Sequence, residues 1–416
     1  MKYAIFKAAN QLVAPSLRAA FRWRRQGKLR STPSVVLMPP SPSGSLGDEA
    51  MVQAVHGILR ERGIHHSLVN LGHRFEWDVG DMDTIDMLGW LNSYPDASPM
   101  AYLRIADHSH FFVLGADTMD GKYSDHRTLQ RAAAARVATE LGLGAGILGF
   151  SFNDSPTRSA VQALRSLPPP VRLYARDPVS RGRLENALQR PITQSADLAF
   201  LLKPDDDAQE SIRVRDWSGR QRAEGRALLG INANAVHASK AGGESELVRL
   251  YAETINRIVG SAAEPTSVLL VPHDDRGEWS DVRLATEIRT AISPDVRSFV
   301  EQVQFPIRAR AIKSIAGLLD AALTGRMHFA IATLGQGIPA AGLTYQGKFA
   351  GLYDLFELEG LAVDPSEQFD PDTLVRVASG MLRERDERKA QVQNRLPSIR
   401  ELAMANFDLV LPAETV

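Results

Sequence analysis

The sequence predicts an α/β protein of two units, each a mostly parallel sheet wound with helices. Three observations carry this. Short apolar, β-branched runs alternate with helical stretches from residue 34 to about residue 345. The alternation stops at a polar stretch beginning Asp205-Asp206-Asp207 and then restarts. The chain has 416 residues, 44% hydrophobic and 23% charged, ordinary for a soluble globular protein of two to three domains.

The elements follow in order. Residues 34–38 are a continuous apolar strand, as expected where both faces of a parallel sheet are covered. A Pro/Ser/Gly loop and a helix at 48–62 come next. Strands at 66–71, 111–115, 146–150 and 171–175 alternate with helices at 128–141, 157–167 and 179–189. The unit closes near 198–201, so its bounds are 34–202. Residues 203–225 read as a linker. The second unit, 226–370, has strands at 227–232, 267–271, 321–324 and 341–345. Its helices lie at 244–259, 281–291, 312–319 and from 326 onward. A helical tail occupies 371–416, its helical pattern running to about residue 406, and Pro397 should interrupt it for want of an N–H. Two such units make a bilobed molecule with ligands in a cleft, outside the carboxyl ends of the strands.

Composition excludes several functions. The 48 basic and 49 acidic residues leave a net charge of −1, without the basic excess of a general nucleic-acid binder. There is no cysteine, so disulfide scaffolds, thiolate metal sites and a cysteine nucleophile are ruled out. No apolar run approaches the roughly 18 residues of a membrane-spanning helix. Residues 1–33 stand apart as a basic arm without acidic residues. Lys2, Lys7, Arg18, Arg22, Arg24, Arg25, Lys28 and Arg30 are interleaved there with Ile5, Phe6, Leu12, Val13, Leu17, Phe21 and Trp23. Such an arm either lies on an anionic membrane surface or packs its apolar side on the body.

Three motifs could carry chemistry. Gly44-Ser45-Leu46-Gly47-Asp48 follows the first strand and opens a helix. Its glycines allow close backbone approach, and the helix N-terminus favours an anion; a plain tight turn is the alternative. Arg176-Asp177-Pro178, with Ser180 beyond, lies between a strand and a helix. Arg176 either recognises a phosphate or carboxylate or is a solvated arginine paired with Asp177. Thr324-Gly325-Arg326-Met327-His328 is the most informative, setting a cation and an imidazole on the first turn of a helix. That grouping binds an anion and supplies a titratable proton, unless His328 is a structural cap. Asp117, Asp120, Asn232, His273-Asp274-Asp275, Tyr345 and Lys348 also follow strands and could contact a polyhydroxylated acceptor or solvent. His273 with its two aspartates matches no standard metal spacing, so no metal is expected.

In order and spacing these pieces resemble the polysaccharide pyruvyl transferase family. The resemblance runs through Gly44–Asp48, Leu114-Gly115-Ala116-Asp117, Arg176-Asp177-Pro178 and Asp197-Leu198-Ala199-Phe200. It is strongest over Gly325-Arg326-Met327-His328-Phe329-Ala330-Ile331-Ala332, Gly337-Ile338-Pro339 and Tyr345-Gln346-Gly347-Lys348. It implies two Rossmann-like domains facing a central cleft, as in the two-lobed GT-B glycosyltransferases. It implies phosphoenolpyruvate as donor substrate, no required cofactor, and a sugar acceptor in a polysaccharide or lipid-linked precursor. The product is a cyclic pyruvate ketal, with phosphate released. The work would be done in the cytoplasm, at the inner face of a membrane if the basic arm binds one.

Arg176, Arg326, Met327 and His328 are the donor residues by this resemblance, with His328, Arg326 and Arg176 catalytic. Gly44, Ser45, Gly47, Asp48, Asp117, Asn232, His273, Tyr345 and Lys348 are candidates for the cleft or acceptor. Two positions depart from the family pattern: Gly115-Ala116-Asp117 where three glycines are usual, and Ser45 where asparagine is usual. The shape of the loop at 80–101 is expected to set acceptor specificity. A nucleotide-sugar glycosyltransferase and a non-catalytic glycan binder are the alternatives on the same architecture.

Overall fold

A computed structural model describes residues 32–71, 77–80, 82–86, 104–261, 263–277, 280–344, 348–364 and 369–411. Nearly all of the basic arm, most of the loop at 80–101, and Tyr345 lie outside these. The chain divides into two compact units: Met1–Ser43, Met51–Leu198 and Leu402–Val416 form the first, Gly44–Ala50 and Ala199–Glu401 the second.

The first unit holds a seven-stranded parallel sheet. Its strands are β1 (Ser34–Met38), β2 (His65–Asn70), β3 (Asp83–Asp86), β4 (His110–Ala116), β5 (Gly144–Phe150), β6 (Arg172–Ala175) and β7 (Thr193–Gln194). The order is β3-β2-β1-β4-β5-β6-β7, reversing between β1 and β4. All five β1 residues are buried, as their continuous apolar run requires. Val36, Met38, Phe111, Val113, Ile147 and Phe150 build the core; each large side chain contributes about 1.5–3 kcal/mol of burial. The helices are α1 (Leu46–Glu61), which begins in the second unit's segment, α2 (Asp125–Glu140), α3 (Arg158–Arg165) and α4 (Pro178–Leu188). Alanines 132, 134, 135 and 138 of α2 are buried. The helix starts are set by side-chain caps: Ser124 accepts from the Arg127 N–H, Thr157 from Ala160, and Asp177 from Ser180, with proline in the first turn of α4.

The second unit holds a six-stranded parallel sheet of β8 (Ala227–Asn232), β9 (Thr266–Leu270), β10 (Val300–Gln302), β11 (Ala321–Thr324), β12 (Ala340–Leu343) and β13 (Ala362–Val363). The order is β10-β9-β8-β11-β12-β13, reversing between β8 and β11. Its helices of eight or more residues are α5 (Gln209–Ala223), α6 (Glu244–Val259), α7 (Asp281–Ala291), α8 (Ala309–Ala316), α9 (Met327–Leu334), α10 (Lys348–Phe356), α11 (Pro371–Arg383) and α12 (Arg385–Met404), whose last residues fall in the first unit's segment.

Four features differ from the sequence expectation. Residues 209–223 of the expected linker form α5, which buries Ser211, Val214, Trp217, Ser218 and Gln221. That stripe has helical spacing, but three of its five residues are polar, so hydrophobic periodicity does not reveal it. Residues 198–201 form a 3₁₀ turn, and β7 supplies the sheet edge instead. The edge strands β3 and β10 are short and polar, which hides them from an apolar-run criterion. Pro397 lies inside α12, and the tail breaks at Glu384 instead. Burial of Val392, Leu396 and Ile399 on either side of the proline holds the helix together. Among the described residues no helix is long and apolar enough to cross a membrane.

Candidate active site

In an open parallel sheet, ligands bind outside the carboxyl ends of the strands where their order reverses. In the second unit that point lies between β8, ending at Asn232, and β11, ending at Thr324. The Thr324 hydroxyl accepts from the Arg326 N–H (2.9 Å) and meets Asn232 Oδ1 at 3.1 Å. The Asn234 amide donates to the Gly325 carbonyl at 2.9 Å. A Cβ on Gly325 would stand 2.7 Å from that of Asn234 and 2.9 Å from the His237 ring, so only glycine permits this approach. Arg326 is extended at the start of α9 (φ −112°, ψ 119°), which places His328 in the first turn.

Arg326 is held by a carboxylate that the sequence reading missed. Its Nε and Nη2 donate to Asp281 Oδ2 (3.1 Å) and Oδ1 (2.8 Å). The Asp281 side chain is 0% exposed and that of Arg326 23%, so the clamp is buried while part of the guanidinium reaches solvent. Asp281 also accepts from Asn232 Nδ2 (3.2 Å) and the His273 N–H (3.1 Å). Burial holds the proton affinity of Asp281 above the usual aspartate range, and Arg326 and Asn232 offset only part of that rise. Asp274 stands 3.7 Å from Arg326 Nη1 and accepts a two-pronged bond from Arg276 at 2.9 and 2.6 Å. Asp281 opens α7, directly after its cap Ser280. That helix start is visible in the sequence, but its pairing with a residue 45 positions away is not.

The loop after β1 belongs to this site. Ser45 forms an antiparallel bridge with Asp274, and the Leu46 N–H donates to the His273 carbonyl at 3.3 Å. A Cβ on Gly47 would stand 2.7 Å from that of His328 and closer still to its ring, so this glycine is needed for the imidazole to pack. Buried Glu49 accepts from the Ala309 N–H at 3.0 Å, fixing the start of α1 against the start of α8. The Gly44–Asp48 motif is therefore no isolated turn; it lies against His273, Asp274 and His328.

Three imidazoles gather here. His328 is half-buried. His237, which the sequence reading passed over, is buried, and desolvation and then the charge of Arg326 push it down to about 4. His273 is lowered well below the usual histidine range by burial, His328 and Arg326.

The other predicted residues are placed differently. Asn232 is buried and spends its amide on the Val271 carbonyl (3.0 Å) and Asp281, so it shapes the site from beneath. Met327 is buried. Lys348 opens α10. Arg176 and half-buried Asp117 belong to the first unit. Arg176 is neither solvated nor paired with Asp177: it is 3% exposed and donates to Asp197 Oδ2 (2.8 Å) and Ser151 Oγ (2.6 Å). Asp177 instead caps α4 and accepts from the Ser180 hydroxyl at 2.7 Å. Ala116, where the family usually has glycine, takes a left-handed backbone with φ +48°. Among the described residues no group of three or more acidic or histidine side chains could hold a metal ion.

The sequence profile of the polysaccharide pyruvyl transferase family matches residues 46–347, most of the chain. No curated protein matches it. Among solved structures, a protein described as a UDP-N-acetylglucosamine 2-epimerase from Listeria monocytogenes is similar at 12% identity and TM-score 0.60, over 93% of this chain and 99% of that one. The protein TcCGT1, solved in complex with UDP, is similar at 12% identity and TM-score 0.58, over 91% and 99%. A glycosyltransferase from Rickettsia africae is similar at 10% identity and TM-score 0.54, over 92% and 100%. These likenesses establish the fold: two Rossmann-like domains of the GT-B kind. The chain belongs to the polysaccharide pyruvyl transferase family and is a transferase.

Proposed function

We propose that this member of the polysaccharide pyruvyl transferase family moves the pyruvyl group of phosphoenolpyruvate onto two hydroxyls of one sugar, in a polysaccharide or its lipid-linked precursor. The observation that carries the reading is Arg326, clamped by buried Asp281 and still part exposed, beside His328 on the first turn of α9. A fixed cation at a helix N-terminus suits a donor bearing a phosphate and a carboxylate, at little cost in reorganisation.

The reaction forms two C–O bonds at the central carbon of the donor and breaks its C–O bond to phosphate. The two hydroxyl protons balance it: one ends on the methylene, which becomes methyl, and one leaves with the phosphate. His328 is the group we assign to proton delivery, and Arg326 neutralises the donor's developing charge. For Arg176 the family resemblance supports a donor contact, and its burial against Asp197 supports a structural role.

Incubation with phosphoenolpyruvate and a panel of glycans, followed by assay of inorganic phosphate, tests the reading. Acceptor-dependent phosphate release is expected, with His328→Ala lowering turnover about 10²- to 10⁴-fold at saturating donor. Release of a nucleoside diphosphate from a sugar nucleotide, with phosphoenolpyruvate inert, would replace this reading with glycosyl transfer. Near wild-type turnover in His328→Ala would remove His328 from proton transfer.

A further inference from the structure

His273 is a member of the site whose ring the described residues leave without a hydrogen bond. It is 4% exposed, and both ring nitrogens are buried without a hydrogen-bond partner. Its backbone is pinned on both sides: the N–H donates to Asp281 Oδ2 at 3.1 Å, and the carbonyl accepts from Leu46 at 3.3 Å. Its ring lies 6.1 Å from that of Phe329, in the first turn of α9. Native proteins carry few buried polar groups without a partner, and each costs about 1–3 kcal/mol. Here the group stands beside a clamped arginine and a second imidazole.

We infer that His273 is a further ligand-contacting residue of this site, its ring N–H donating to a phosphate oxygen of the bound phosphomonoester. The inference rests on the donor reading above, because Arg326 is what draws such an anion to His273. Among the described residues, the titratable and charged groups around it are His328 and Arg326 from the β11–α9 turn, Asp281 at the head of α7, and Asp274 with its partner Arg276 in its own loop. Burial, and then the neighbouring His328 and Arg326, keep the imidazole neutral while the site holds no anion. A bound dianion reverses the sign of the local field, so His273 takes up a proton at its second nitrogen as the ligand binds.

Calorimetric titration with phosphoenolpyruvate, and separately with inorganic phosphate, in buffers of different ionisation enthalpy reads both affinity and proton uptake. Wild type is expected to bind phosphoenolpyruvate with net proton uptake near neutral pH. His273→Asn and His273→Phe should bind about tenfold more weakly and take up fewer protons. Phenylalanine preserves the packing on Phe329, and thermal melting of each variant checks the fold. If His273→Phe matches wild type in affinity and uptake, the ring is a packing element and the inference fails. Wild type binding with no proton uptake between about pH 5.5 and 7.5 overturns it without any variant. If phosphate binding is indifferent to His273 while phosphoenolpyruvate binding is not, the contact is to the carboxylate and the phosphate assignment falls. If wild type binds neither compound, this inference and the donor reading fall together. Binding that depends on His273, with no phosphate released to any glycan, leaves the inference standing and sinks the transfer reading.

Discussion

Each unit of the molecule contains an arginine–aspartate pair after a strand's carboxyl end, and both pairs close at 2.8 Å. In the first unit Arg176 and Asp197 are 3% and 2% exposed. In the second, Asp281 is 0% exposed but Arg326 is 23% exposed. The difference lies in the cation. Arg176 is enclosed after β6, away from the order reversal of its sheet, and its charge is met by Asp197. Arg326 follows β11 at the reversal itself, so its carboxylate is sealed beneath it while part of its guanidinium faces outward. A buried pair holds structure at little net gain, whereas a half-open pair presents a fixed charge to a ligand.

The largest expected effects come from breaking the two pairs. Arg176→Ala should destabilise folding by about 3–5 kcal/mol, because it strands Asp197 in the interior. Arg326→Ala should cost less stability and yet lower acceptor-dependent phosphate release by about 100-fold. Denaturant titration and kinetics on both variants check this. A folded Arg176→Ala that loses only phosphoenolpyruvate affinity would break the comparison and favour the donor role.

Acidification probes the second region without mutation. His237 binds its proton at 6.5 when unfolded and at about 4 when folded, so the unfolded state takes up protons first as pH falls. Its contribution is intact above about pH 6.5 and is lost progressively towards pH 4, amounting to about 3 kcal/mol. His273, His56 and His66 are lowered too and act with the same sign. Urea midpoints measured from pH 7.5 to pH 4.5 should therefore fall, and His237→Phe should flatten the slope. A pH-independent midpoint over that range would contradict the burial of these imidazoles.

Smaller effects sharpen the contrast. Gly47→Ala should push the His328 ring aside, lowering phosphate release about tenfold with little change in melting. Full activity in this variant would mean that His328 need not hold its position. Ala116→Gly in the first unit relieves a left-handed alanine at φ +48° and should stabilise by up to about 1 kcal/mol. An unchanged or lower melting temperature would show that the strain is already offset.

Much of the architecture was legible because it is local. Strands at 34–38, 227–232 and 321–324 and helices at 244–259 and 281–291 coincide with those observed. Continuous apolar runs, helical spacing and caps such as Ser280 announce them without help from distant residues. Arg326 and His328 were legible for the same reason, since a strand end and a helix start sit on either side of them. Helix α5 was not, because its buried face includes Ser211, Ser218 and Gln221. Nor was the loop after β1, read as part of the unit that its strand belongs to and found instead against His273, Asp274 and His328 in the second.

The sequence alone determined the alternating α/β plan, the family, and the arginine and histidine at the head of α9. Those follow from short-range periodicity and from motifs whose residues are neighbours in the chain. Only the tertiary structure decided which charges are spent and which are offered. Arg176 and Arg326 look alike as letters, each followed by a helix. Their difference is one of burial and of a partner 21 or 45 residues away, set by which strands lie side by side.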